Sequence, residues 1–229
     1  MTQAALDAIR QALLECSPEE RRRVFNDLRA EFSIHQLEAD LNTTAEVILG
    51  AIARGGALTL RGIRGIIAET YFHLNVVIPL ASSGWSDVTG AGDLPFDFEL
   101  QDKVGSVRVQ VKNQRLEGGK PKLWRRANSN APTYVAETQR TRTGKSADGS
   151  ATRPYRFGEF DLLAVCLHPS TGNWGDFRYT VARWLLPRDG GDLIKVMQPV
   201  SSVPNDDWTD NFLTAAGWFR SAGNKTIWS

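Results

Sequence analysis

The first third of the chain repeats apolar residues at helical spacing. Ala5, Leu6, Ile9 and Leu13 form one stripe, and Val24, Leu28 and Phe32 form another. Between them, Ser17-Pro18-Glu19-Glu20 reads as a helix start: a capping serine, a proline at the first helical position, and a glutamate able to reach back to the cap. Thr43-Thr44-Ala45-Glu46 opens a further helix, closed by Gly55-Gly56. Thr59 to Leu74 fits a fourth, with Leu60, Ile63, Ile67 and Leu74 on one face.

After Pro79 the period becomes two. Pro95–Leu100 predicts a short strand, residues 101–105 a turn, and Ser106–Lys112 a second strand. On that second strand Val107, Val109 and Val111 share one face, and Arg108, Gln110 and Lys112 share the other. Further strands are expected at Thr133–Thr138, Phe160–Leu167, Phe177–Val181 and Leu193–Val196, with a last helix over Trp208–Trp218. Phe160–Leu167 is the most apolar and is expected at the centre of the sheet. The pattern implies an α/β or α+β fold, a central mixed sheet flanked by helices. Residues 1–78 form a helical N-terminal part, suited to dimerisation, and residues 79–229 form the core of one structural domain.

Composition narrows the function classes. The chain has 229 residues, 41% of them hydrophobic and 23% charged, with a formal net charge of +1. No run of about 18 apolar residues exists to span a membrane. Asp7, Glu15, Glu19 and Glu20, without a long apolar stretch, argue against a signal peptide, so a cytoplasmic protein is expected. Two cysteines, Cys16 and Cys166, are too few for a disulfide framework or a cysteine-rich zinc module. Thr143-Gly144-Lys145-Ser146 lacks the upstream glycine of a phosphate-binding loop, whose place Gln139 occupies.

The near-neutral total hides segregation. Residues 112–156 hold 11 Lys and Arg against three Asp and Glu, a surplus of +8 that leaves the rest of the chain at −7. Such a stretch is either a polyanion-binding face or a solvated loop. Lys120, Lys122, Arg125, Arg126, Asn128, Asn130, Gln139, Arg140, Arg142, Lys145, Arg153 and Arg156 supply the types that neutralise phosphates or read base edges.

The two strands at 95–112 concentrate the chemistry. Asp97 ends the first, and Gln110 and Lys112 share a face of the second. Oxygen ligands suit Mg²⁺, and a lysine beside them can hold a water or stabilise developing charge on a phosphate. At these residues the sequence resembles the PD-(D/E)XK nuclease superfamily, above all its type II restriction endonucleases. Pro95-Phe96-Asp97 stands at the proline–aspartate, with one residue inserted, and Gln110-Val111-Lys112 stands at (D/E)-x-K. The resemblance implies a restriction-endonuclease-like fold in a bacterial cytoplasm and a Mg²⁺-dependent, sequence-specific endonuclease acting on double-stranded DNA as a homodimer. Asp97 is then the principal metal ligand, Gln110 a second through its amide oxygen, the Val111 carbonyl a further one, and Lys112 the catalytic lysine.

Gln110 departs from the family's usual acid. A compensating carboxylate is expected from Glu69 on the fourth helix or from Glu99, two residues beyond Asp97; otherwise Glu69 is one exposed helix acid. Gly62 and Gly65, on the Glu69 side, would let that helix approach another backbone closely. Asp161, at the mouth of the apolar strand, could instead serve folding, and Arg153 and Arg156 could serve only to pair with Glu159. A structure-directed or repair nuclease, and a non-catalytic DNA-binding protein on a decayed nuclease fold, remain as alternatives.

Overall fold

The computed structural model describes residues 2–32, 35–124, 131–140, 154–189, 191–221 and 223–227. The chain forms two compact units, one ending at Leu60 and the other running from Arg61 to Ser229. The division therefore falls earlier than the change of period near residue 78.

The first unit is helical: α1 (Gln3–Glu15), α2 (Pro18–Glu31), α3 (Gln36–Asp40), α4 (Ala45–Arg54) and the start of α5 (Ala57–Phe72). The capping box of α2 is present: the Ser17 hydroxyl accepts from the Glu20 amide at 3.3 Å, and the Ser17 amide donates to Glu20 at 2.8 Å. It satisfies two amide groups that the first helical turn cannot. Thr44 caps α4 with its hydroxyl alone, which accepts from the Val47 amide at 3.5 Å. Within this unit Leu14, Phe32, Leu49 and Leu58 remain exposed.

The second unit holds a mixed sheet of five strands. They are β1 (Ser86–Asp87), β2 (Phe98–Asp102), β3 (Gly105–Asn113), β7 (Leu162–Cys166) and β8 (Phe177–Val181), side by side in that order. Between β3 and β7 the chain forms the β4 (Leu116–Glu117) and β5 (Lys120–Pro121) ribbon, then β6 (Thr133–Glu137). Strand β6 pairs with β9 (Met197–Ser201) in a separate two-stranded sheet. Short helices α6 (Ile78–Leu80) and α7 (His168–Thr171), and the longer α8 (Phe212–Ser221), complete the unit. The fold is α+β with a mixed sheet. The middle strand is β3; β7, expected there, lies beside it, with all five residues buried.

Several boundaries differ from expectation for identifiable reasons. The last strand is Met197–Ser201 and not Leu193–Val196, because Pro199 masks its pattern. A two-stranded sheet tolerates a residue without an N–H. The last helix starts at Phe212, since Thr209 exchanges two backbone bonds with Tyr179 at 2.7 and 3.0 Å and Asn211 accepts from the Thr214 amide at 2.9 Å. Beyond Phe72 the helix widens to a π turn over His73–Val77, where Pro79 cannot donate to the carbonyl four residues back. Gly62 and Gly65 mark no close approach: nothing lies within 4 Å of where their Cβ atoms would be.

Two anchors hold the site's framework. Gly105 (φ +146) ends the tight turn between β2 and β3, and Asp102 accepts there from the amides of Val104 and Gly105. Arg220 of α8 forks onto the Asp102 carboxylate at 2.9 and 2.7 Å, which holds that acid down to about 2. The second anchor is Phe72, fully buried at the end of α5 among Phe98 (5.1 Å between ring centres), Phe177 (5.5 Å), Tyr179 and Phe212. With Ala68 one turn earlier, it seats the second half of α5 in the core. Phe72→Ala should cost about 3–5 kcal/mol in urea unfolding; a loss under about 1 kcal/mol would mean that this ring does not anchor the helix.

Candidate active site

Pro95 has no N–H with which to extend a ladder. Strand β2 accordingly begins only at Phe98, although the Asp97 amide still donates to the Val109 carbonyl at 3.0 Å. The Val111 amide on β3 goes to Asp97 Oδ2 at 2.7 Å, a side-chain oxygen where a strand carbonyl would otherwise serve. The same oxygen accepts from Gln110 Nε2, which also donates to the Val111 carbonyl at 3.2 Å. Gln110 Oε1 accepts from the Tyr155 hydroxyl at 3.0 Å. The amide oxygen expected to face a metal thus faces Tyr155. The reason is electrostatic: Asp97 and the Val111 carbonyl present two acceptors, and the amide turns its NH₂ to them.

Glu69, Asp97 and Lys112 share one electrostatic neighbourhood. Burial pushes Glu69 up to about 7, the charge of Asp97 adds to that, and Lys112 opposes it. Burial also raises Asp97, against Lys112 and the bonds from Val111 and Gln110. Burial lowers Lys112, while Asp97 and then Glu69 favour its charge. Asn113 Nδ2 donates to the Arg64 carbonyl at 2.6 Å and ties the end of β3 to α5, the helix that presents Glu69. Glu99, the other contender, is turned elsewhere: its charge acts on Arg108.

Tyr155 was not singled out in the sequence. Its ring packs edge-on to Phe160 at 5.3 Å, and Lys112 Nζ and Arg140 Cζ each lie 5.5 Å from its centre. Its place just ahead of the apolar strand, between Arg153 and Arg156, was the only available signal. Arg140 is held by Glu159 at 2.8 Å, and Glu159 also accepts from the Arg156 backbone amide at 3.0 Å. Asp161 opens β7 as a pairing residue, accepting from the Arg108 guanidinium at 2.8 and 3.0 Å and from its amide at 2.8 Å.

The basic segment is described only in part. Lys120 is exposed on β5, Lys122 pairs with Glu117 at 2.6 Å, Gln139 donates to Glu137, and Arg156 is exposed. Arg115 pairs with Glu137 as well. Arg125, Arg126, Asn128, Asn130, Arg142, Lys145 and Arg153 lie outside the described residues.

The donor set fits a hard divalent cation. Mg²⁺ takes one or two protein carboxylates and completes its shell with water and phosphate oxygens. Asp97 and Glu69 supply two carboxylates, the Val111 carbonyl adds a neutral oxygen, and the Gln110 NH₂ already occupies a point to which positive charge is drawn. Among the described residues no cluster of three His, Cys, Asp or Glu side chains exists.

No protein-family model matches the chain, and no curated protein matches it. Among solved structures, a bacterial homing endonuclease, I-Ssp6803I, is similar at a TM-score of 0.36 and 21% identity, over 66% of this chain and 81% of that one. A likeness at that level carries no argument about chemistry. Among the described residues no helix is long and apolar enough to cross a membrane.

The Glu69 shift has a consequence for stability. Burial holds its carboxyl at about 7 in the folded chain, above the ordinary 4.5 of a glutamate. Stability from the neutral form is complete below the lower value and is lost as pH rises through the upper one. In metal-free protein, Glu69→Gln should therefore gain stability relative to the wild type between about pH 5 and about pH 8 in urea unfolding. An equal difference at both pH values would show that Glu69 is not buried beside Asp97.

Proposed function

We propose that the protein is a Mg²⁺-dependent endonuclease that hydrolyses phosphodiester bonds of double-stranded DNA at specific sequences, in the manner of a type II restriction enzyme. The observation that carries this reading is the meeting of two half-buried carboxylates, Asp97 just ahead of β2 and Glu69 on α5, with one lysine, Lys112, near the end of β3. Burial raises both acids and the charge of Asp97 raises Glu69 further, so a cation would help them to stay ionised together. Asp97, Glu69 and the Val111 carbonyl would hold it, and the Gln110 amide oxygen would join them only by turning away from Tyr155. A bound Mg²⁺ would supply Lewis acidity to the scissile phosphate and lower the pKa of a water.

The chain's own groups do the rest. Asp97 is fixed by the Val111 amide, so its free oxygen keeps one direction. Lys112, attracted by Asp97 and Glu69, can hold the attacking water or offset charge on phosphorus as a water oxygen replaces an ester oxygen. Arg140, braced by Glu159 over the Tyr155 ring, offers a fixed guanidinium beside these groups for a backbone phosphate. One such centre per chain, facing two strands of opposite polarity, favours a homodimer. The exposed apolar side chains of the first unit, among them Leu14, Phe32 and Leu49, are the candidate interface.

A non-catalytic DNA-binding protein on a decayed nuclease fold is the second reading. The Gln110 NH₂, turned to Asp97 like a replacement for the cation, is what favours it. Incubation of a mixed-sequence plasmid with Mg²⁺ separates the cases. Discrete fragments support a sequence-specific enzyme, a smear a structure-directed or repair nuclease, and intact plasmid the non-catalytic reading. Lys112→Ala should abolish cleavage with little loss of DNA binding, and Asp97→Asn should abolish it through the metal. Cleavage by Lys112→Ala near the wild-type rate would remove Lys112 from the chemistry.

DNA binding has its own test. Affinity should fall with salt at a slope of about −0.9 per phosphate contacted. Arg140→Ala should lower that slope by about one unit for all sequences if it touches a phosphate, or cost about 1–3 kcal/mol at one base pair if it reads a base. An unchanged slope and cleavage pattern would place the DNA surface elsewhere.

A further inference from the structure

The amide of Gln110 is almost wholly buried, at 1% exposure, and so is Tyr155, at 4%. Its NH₂ bridges Asp97 Oδ2 and the Val111 carbonyl, and its oxygen accepts from the Tyr155 hydroxyl. The two oxygens that the NH₂ bridges are those assigned above to the cation. An amide with its NH₂ toward them competes with a cation; an amide with its oxygen toward them assists one.

The terminal torsion of glutamine is broad and nearly two-fold, so the two orientations cost similar energy by themselves. The partners decide between them. A tyrosine hydroxyl can both donate and accept, so it can satisfy either end of the amide. A phenylalanine could satisfy neither, and a glutamate at position 110 would have no NH₂ to bridge two acceptors.

We infer that Gln110 and Tyr155 form a two-position amide switch coupled to the cation, an inference that rests on the metal reading above. Without the cation, Gln110 Nε2 holds Asp97 and the Val111 carbonyl together, and Tyr155 donates to Oε1. With the cation, the amide turns over: Oε1 joins Asp97 and Val111 as a donor to the ion, and Nε2 donates to the Tyr155 oxygen. Tyr155 is the positioning residue of this switch. Glutamine then keeps the empty site paired and without a third buried negative charge, which an acid there would add.

The test uses the full chain, ¹⁵N-labelled at glutamine, with MgCl₂ as the probe. The side-chain NH₂ signal of Gln110 is assigned by its loss in Gln110→Ala. Titration calorimetry establishes whether Mg²⁺ binds. On saturation, the nuclear Overhauser contact between this NH₂ and the Tyr155 ring should strengthen, and that to the Val111 region should weaken. If Mg²⁺ binds the wild type while those contacts stay constant, the switch is overturned and the metal site stands. If no Mg²⁺ binds, both fall together.

Discussion

The site depends on one substitution of partners at the end of a β-ladder. Where β2 stops short, the Val111 amide finds the Asp97 carboxylate in place of a backbone carbonyl. A buried N–H must be satisfied, so the structure holds the carboxylate there firmly. Pro95 prevents the strand from continuing, and the Arg220–Asp102 fork at the far end of the same hairpin fixes its register. The placement of an acid beside β3 is thus a consequence of backbone accounting as much as of the acid's own charge.

The energetic strain of the site follows from that placement. Asp97 and Glu69 are both raised by burial, Glu69 to about 7, while Lys112 is lowered. Each ionised group is costly alone, and the ammonium offsets two acids only in part. A second cation would relieve the imbalance, and the Gln110 NH₂ gives a partial positive charge at Asp97 Oδ2 and the Val111 carbonyl. Phe72 and Ala68 hold α5 close enough for Glu69 to take part, and the aromatic cluster around Phe72 therefore bears on function as well as on stability.

Much of this was legible in the sequence where the signal is local. The Ser17 capping box, the alternation of Val107, Val109 and Val111, and the spacing of Asp97 from Gln110 and Lys112 each rest on neighbours within one element or one hairpin. The structure places those three residues beside Glu69, an acid that the nuclease resemblance offers and no periodicity along the chain does. Non-local pairings were not legible. Tyr155 reaches Gln110 across 45 residues, Asp161 finds Arg108 across 53, and β9 pairs with β6 despite Pro199. The orientation of the Gln110 amide depends on two acceptors and one hydroxyl from three segments, and no pattern along the chain encodes it. Gly62 and Gly65 misled for the opposite reason: a local feature was given a tertiary meaning that the open space beside them does not support.

The central claim is that the oxygens of Asp97, Glu69 and Val111 form a divalent-cation centre. It is tested most directly by anomalous scattering from crystals of the wild-type protein soaked in Mn²⁺, a substitute of similar oxygen preference. The account predicts a peak within ligand distance of the Asp97 carboxylate and the Val111 carbonyl, absent from Asp97→Asn crystals. A peak bound only to other residues, or no peak at these oxygens at saturating Mn²⁺, would contradict it.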